Sequence, residues 1–151
     1  MKKNKGFTLI ELLAVIVILA VIALIATPMI LGVIDTAKKG ATESSALGYI
    51  DAVEKSMVLE FIDAETTGAT STPTGIYTVA DLDTVDVKGE SPTSGWIYIN
   101  SSGVIVASQL KFDSYAKTVR YNGKKAYADV DTLDAEPSDL SNAQSLVATS
   151  H

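Results

Sequence analysis

Glu11 is the residue that most directly suggests chemistry, because it stands at the start of a long apolar run. The run from Leu12 to Ile34 contains no charged residue. A carboxylate in apolar surroundings costs a few kcal/mol unless a cation pairs with it, so it indicates a function. Such a pair would also select one register between packed helices, since any other register leaves an unpaired charge. The alternative is a carboxylate that snorkels to the headgroups of a simple anchor.

A second group of candidate residues lies in the acidic stretch near the C-terminus. Asp129, Asp131 and Asp134 are weak candidates for calcium ligands, because hard cations prefer several carboxylate or carbonyl oxygens. The ligand spacing and the central glycine of an EF-hand loop are absent. A solvated tail is therefore the favoured interpretation of this stretch.

The residue types that commonly build an active site are scarce. The chain has no cysteine, its one histidine is His151, and it has neither a glycine-rich phosphate loop nor a histidine-based metal motif. We predict that the protein is not an enzyme and needs no cofactor. The alternative among enzymes is a hydrolase whose catalytic carboxylates do not form a recognisable sequence motif.

The apolar run itself predicts a membrane-spanning helix, since roughly 20 apolar residues suffice to cross a bilayer. Three lysines, Lys2, Lys3 and Lys5, precede it, which places the N-terminus in the cytoplasm and the rest of the chain outside. Pro28 removes one backbone donor and predicts a bend or a break. It is either a tolerated kink or a point of local loosening during assembly.

The sequence from Lys5 to Leu13, KGFTLIELL, resembles the class III signal of type IV pilins and of type II secretion and competence pseudopilins. The resemblance includes the small residue at the cleavage point, the phenylalanine that becomes the new N-terminus, and the glutamate four residues further on. Pro28 also falls where many pilins carry a proline. The resemblance covers roughly the first quarter of the chain.

This resemblance implies that a prepilin peptidase cuts between Gly6 and Phe7 and N-methylates Phe7. It implies that Glu11 pairs with the terminal amine of Phe7 on a neighbouring subunit. The implied partners are further copies of the chain, minor pilins, the inner-membrane assembly platform and the assembly ATPase. The precursor is then expected in the cytoplasmic membrane, and the processed chain in a cell-surface filament.

Charge and cysteine content narrow the partners further. Cleavage after Gly6 removes three lysines and no acidic residue, which takes the formal net charge from −6 to −9. Such an acidic chain argues against nucleic acid as a partner. It does so despite two groups of local basic positions, Lys38 with Lys39, and Lys117 with Arg120, Lys124 and Lys125. Without cysteine, the distal region must be held by sheet pairing, packing or metal rather than by the disulfide of many Gram-negative pilins. This favours a Gram-positive source.

After the apolar run the helical pattern continues and becomes amphipathic, from Asp35 to Glu65. One stripe at spacings of three or four predicts packing on a globular domain: Ala46, Ile50, Val53, Met57 and Phe61. Three further residues widen this stripe, Leu47, Val58 and Ile62. The whole helix from Thr8 to Glu65 would measure on the order of 85 Å.

The remaining sequence predicts a small antiparallel sheet of three to four strands. Aromatic and β-branched runs indicate strands at Trp96–Ile99, Val104–Val106 and Thr118–Tyr121, and Asn122-Gly123 indicates a hairpin turn. Thr78 and Asp81 have capping-box spacing, which predicts a short helix from Val79, with a strand at Ile76–Val79 as the alternative. A short distal helix is expected within Ser138–Ala148.

Together these patterns predict an α+β pilin fold, a long helical spine packed on the sheet. The expected segments are a leader (1–6), the membrane or filament-core half of the helix (7–34), its amphipathic half (35–65), a head (66–128) and an acidic polar tail (129–151). The expected function is a structural subunit of a type IV pilus-like filament. A type II secretion or competence pseudopilin is the alternative within the family, and a monomeric membrane-anchored extracytoplasmic binding domain the alternative outside it.

Overall fold

The computed structural model describes residues 6–67, 74–82 and 84–148. The leader lysines, residues 68–73 and His151 lie outside these ranges. The chain divides into two compact units, residues 1–37 and 38–151. Its elements are α1 (Leu9–Thr67), β1 (Gly75–Thr78), β2 (Ser94–Ile99), β3 (Ile105–Lys111), β4 (Thr118–Tyr121), β5 (Ala126–Val130) and α2 (Leu140–Val147).

The first part of α1 presents apolar side chains to its surroundings all the way round. From Leu9 to Ile34 the large apolar residues are exposed, as in Leu24 at 78%. The stretch Leu9–Glu60 is long and apolar enough to cross a membrane, with a mean hydropathy of 3.2 in its most apolar window. In water this surface would be unfavourable, and it is compatible with lipid or other apolar helices around the helix.

The second part of α1 packs on the sheet through one face. Ala46, Tyr49, Ile50, Val53 and Met57 are buried there, in one core with residues from the sheet. Packing through this stripe is confirmed, although the side chain of Phe61 lies outside the described part of the chain.

The prediction that three further residues widen the stripe is wrong. Leu47, Val58 and Ile62 are 42%, 56% and 53% exposed. At about 100° per residue, they fall on the flank and the far side of the helix from Val53.

The α+β class is confirmed, and the sheet is antiparallel with the order β1-β2-β3-β4-β5. It has five strands rather than three or four, because Gly75–Thr78 forms the edge strand β1. The alternative interpretation of this stretch was therefore the right one. Asp81 still accepts hydrogen bonds from the backbone N and Oγ1 of Thr78, at 2.8 and 2.7 Å, but it closes a turn after the strand.

Two glutamates of α1 reach across to the sheet and accept backbone hydrogen bonds. Glu43 Oε1 accepts from the N–H of Ala128 at 2.9 Å, and Glu54 Oε1 accepts from the N–H of Ile105 at 3.2 Å. Burial, and secondarily the charge of Glu54, raise the pKa of the Tyr121 phenol. The bond to Ala128 occupies a donor on the edge strand β5, which reduces its availability for pairing with another chain.

The opposite face of the sheet is covered by the C-terminal segment. The predicted distal helix forms as α2, with Asp139 as its N-cap, and Ala143 and Val147 pack against Trp96 and Ala107. The interpretation of the whole acidic stretch as a solvated tail is therefore wrong for α2. The spacing of Ala143 and Val147 places both on one face of a helix, but their small size gave only a weak apolar signal.

Polar side chains of the sheet fasten this C-terminal segment. Gln109 is fully buried, and its Nε2 donates to Asp134 Oδ2 at 2.7 Å and to the carbonyl of Leu146 at 3.2 Å. Arg120 donates to both carboxylate oxygens of Asp129 and to the carbonyl of Ala148. These bonds hold the distal region in a chain without cysteine.

Candidate functional site: the N-terminal segment

Gly6 and Phe7 form a short non-helical segment in front of α1. The Phe7 side chain is 88% exposed, and Gly6 is exposed as well. A Cβ on Gly6 would meet no atom within 4 Å in the described chain, and no left-handed φ is recorded there. The fold of the described chain therefore does not require glycine at this position.

Thr8 ends this segment and begins the helix through a capping box. Its Oγ1 accepts from the Glu11 N–H at 3.3 Å. Glu11 Oε2 accepts in return from the N–H and the Oγ1 of Thr8, at 2.8 and 2.7 Å. This reciprocal arrangement satisfies donors that a helix N-terminus otherwise leaves unpaired.

Glu11 retains capacity for a second partner. Both bonds from Thr8 go to Oε2, and in the described part of the chain Oε1 accepts none. Phe7 supplies no cation here, because its nitrogen is in the peptide bond with Gly6. Cleavage of that bond would create an ammonium group one residue before Thr8.

Pro28 lies inside α1, and the helix continues through it without a break. Pro28 has no N–H to give to the carbonyl of Leu24. The Oγ1 of Thr27 donates to the carbonyl of Ala23 at 2.7 Å, one residue before that acceptor. This hydroxyl therefore does not replace the hydrogen bond that the carbonyl of Leu24 loses.

The three carboxylates considered as calcium ligands have separate partners. Asp129 pairs with Arg120 at 2.6 Å, Asp131 with Lys117 at 3.4 Å, and Asp134 accepts from buried Gln109. Among the described residues, no group of three or more carboxylate, histidine or cysteine side chains is placed to hold a metal ion.

A comparison with known protein families finds a processing motif in the N-terminal segment that contains Gly6, Phe7 and Glu11. The profile of the prokaryotic N-terminal methylation motif matches residues 1–27. Comparisons with curated proteins and with solved structures return no match. Residues 1–27 are therefore the class III prepilin signal of type IV pilins and pseudopilins. The α+β architecture agrees with a pilin fold, and the motif supports a pilin- or pseudopilin-like precursor.

Thr8 is the residue of this site whose role sequence reasoning missed. The pattern Thr-x-x-Glu, followed by an apolar run, is the capping-box signal, and it occurs at Thr8–Glu11. Only the weaker Thr-x-x-Asp pattern at residues 78–81 was interpreted as a capping box. Glu11 was interpreted by its charge alone, and its role at the start of the helix was not predicted.

Proposed function

We propose that the chain is the precursor of a structural subunit of a type IV pilus-like filament. A prepilin peptidase cleaves it between Gly6 and Phe7 and methylates the new amino group of Phe7. The apolar half of α1 then leaves the membrane and joins a bundle of equivalent helices. The observation that carries this proposal is the methylation motif at residues 1–27, which runs directly into an apolar helix.

The geometry of the N-terminal segment supports the proposed cleavage. Thr8 and Glu11 fix the start of α1, which leaves the Gly6–Phe7 bond in non-helical, exposed chain. Exposed chain near a terminus and outside regular elements is where proteolysis concentrates. With its three leader lysines in the cytoplasm, the precursor would present this bond at the cytoplasmic side of the membrane.

The same segment supports the proposed assembly contact. In a bundle of apolar helices the Glu11 carboxylate would be costly if it were left with hydroxyl and amide donors alone. The free Oε1 is available to the methylated ammonium group of Phe7 on a neighbouring subunit. Lipid and bundle interior are similarly apolar, so extraction from the membrane need not cost the full burial of the helix.

Pilins and pseudopilins share this N-terminal chemistry, and we place the chain in a surface filament assembled with minor pilins, an assembly platform and an ATPase. The motif points to a structural rather than a catalytic subunit. The cysteine-free composition supports a Gram-positive source for this filament.

Replacing Gly6 with leucine tests the processing step. The fold has room for a side chain at this position, so Gly6→Leu should leave the head folded and the precursor inserted in the membrane. Cleavage should be lost, and the full-length precursor should accumulate on an immunoblot of membranes. Gly32→Leu is the matched control, because a Cβ there also meets no atom. Normal processing of Gly6→Leu would contradict the proposed cleavage site.

A further inference from the structure

A pair of carboxylates and a pair of lysines lie at opposite ends of the sheet. Strand β2 begins at Ser94 beside Lys111, the last residue of β3. The turn between β4 and β5 lies at the other end, where a Cβ on Gly123 would be 3.3 Å from the carbonyl oxygen of Val106. After β5 the chain returns to the first end and enters the loop that contains Asp134 and Glu136.

The first surface is a cleft of about 540 Å³, called here the acidic cleft. Its rim carries Asp134 and Glu136, and Glu136 is exposed and forms no ion pair among the described residues. Of the Asp134 carboxylate, only Oδ2 accepts a hydrogen bond from the described residues, and Gln109 donates it. The remaining lining includes apolar and hydroxyl side chains: Val79, Pro92, Thr93, Trp96 and Leu133.

The second surface is the turn Asn122–Lys125, called here the basic tip. Lys124 and Lys125 are exposed, and neither forms an ion pair within the described chain. The turn is well defined, since Asn122 Oδ1 accepts from the backbone N–H groups of both lysines at 3.2 and 3.0 Å. Past α1, these are the only two adjacent basic residues in the sequence.

We propose that the basic tip of one subunit docks in the acidic cleft of a second copy of the chain. Two ammonium groups then meet two carboxylates, and the apolar lining of the cleft contacts the aliphatic parts of the lysine side chains. Because the two surfaces differ and lie at opposite ends of the sheet, the contact is head-to-tail. Repeated head-to-tail contacts that do not close into a ring build an open helical filament.

Charge complementarity between two parts of the same chain argues for another copy as the occupant. After removal of the leader the chain carries a formal charge of −9, so two copies repel each other in most orientations. An orientation that places exposed Lys124 and Lys125 against carboxylates is favoured over those orientations. This inference rests on the proposed filament, for which it names a contact between heads.

Cysteine cross-linking in filaments tests the contact directly, because the native chain has no cysteine. Lys124→Cys and Ala135→Cys are combined in the full chain, which keeps Lys125, Asp134 and Glu136, and sheared filaments are treated with a short bis-maleimide. We expect a ladder of dimers, trimers and higher species from the double variant and monomers from each single variant. Lys88→Cys combined with Ala135→Cys is the matched control, and it should give no ladder.

Charge reversal provides a second test. Lys125→Glu and Glu136→Lys should each lower the yield of sheared filaments about tenfold, and their combination should restore it. Lys88→Glu and Asp86→Lys are control reversals at exposed positions and should leave the yield unchanged. Filaments without a ladder, or a double reversal without restoration, would overturn the contact and leave the proposed function intact. A wild-type chain that forms no filaments would overturn the proposed function, and this contact with it.

Discussion

Glu11 has two tasks in the proposed mechanism, and its two oxygens divide them. Oε2 closes the capping box with Thr8 and starts the helix, and Oε1 remains for a cation from another subunit. The capping box is present in the single chain, whereas the ion pair requires cleavage and assembly. A carboxylate in this position therefore serves both the precursor and the filament.

Glu11→Gln separates these tasks, because glutamine also closes a capping box but carries no charge. We expect normal membrane insertion and normal cleavage, with a loss of sheared filaments of about tenfold or more from the unpaired amine. Thr8→Ala keeps the charge and weakens only the cap, by about 0.5–2 kcal/mol, so its filament yield should fall less. Normal filament yield from Glu11→Gln would contradict the ion pair.

We predict that ionised Asp81 stabilises the head and that this contribution is lost in acid. Hydrogen bonds from the Thr78 side chain and backbone lower the pKa of this carboxyl in the folded chain. Its contribution is therefore present above the pKa of the unfolded chain, about 3.9, and is lost as the pH falls through the lower folded value. The difference in melting temperature between wild type and Asp81→Ala should shrink below about pH 4.

Thr78→Ser is the matched control for this titration, since serine keeps the hydroxyl donor. It should follow the wild-type pH dependence, whereas Thr78→Ala should lose part of it. A wild-type advantage over Asp81→Ala that stays constant from neutral pH down to about pH 2 would contradict the assignment.

Helix α1 carries two different surface patterns in one element. Up to Ile34 it is apolar all round, and from Ala46 to Met57 a single buried stripe faces the sheet. The first pattern suits lipid or a bundle, and the second suits a helix on the surface of a domain. One element is thus suited both to anchor the precursor and to carry the head.

The C-terminal segment is held by polar bonds from the sheet as well as by apolar packing. Gln109→Leu removes the bonds to Asp134 and Leu146 and leaves buried polar atoms unpaired, so the free energy of unfolding should fall by about 1–3 kcal/mol. Backbone amides of α2 should exchange faster with solvent. Gln144→Leu is the matched control, an identical substitution at an exposed position of α2. Equal stability of both variants would contradict this role of Gln109.

The elements that have a strong local sequence pattern were the ones that could be predicted. The apolar run, the stripe through Val53 and the Asn-Gly turn are local periodic or turn signals, and they predicted α1, its packing face and the β4–β5 hairpin correctly. The strand β1 was ambiguous because its four residues also precede a capping pattern. The packing of α2 and the role of Gln109 depend on contacts between residues far apart in sequence, which no local pattern contains.

The features of the N-terminal site also differed in whether the sequence could predict them. Gly6, Phe7 and Glu11 could be proposed as processing and assembly residues because the motif has fixed spacing, and these roles stay predictions. The free Oε1 of Glu11 could not be predicted, since it depends on which carboxylate oxygen accepts the hydrogen bonds from Thr8. The partners of Asp129 and Asp134 also required the sheet register, because Arg120 and Gln109 are adjacent only across paired strands.

In the whole molecule, an apolar helix is joined to a strongly acidic head. The helix supplies the cohesion of the proposed filament, and the charge keeps the heads soluble and restricts how they meet. The acidic cleft and the basic tip allow one favourable arrangement between neighbours. Processing is the step on which all of this depends, because it removes the leader lysines and creates the amine.

The most direct test of this account is the mass of the N-terminal tryptic peptide from sheared surface filaments of the native host. Trypsin cuts after Lys5, so an unprocessed chain yields a peptide that begins at Gly6. We expect a peptide that begins at Phe7 and carries one added methyl group on its amine. A peptide that begins at Gly6, in a chain found only in membranes, would contradict processing and identify a simple anchored domain.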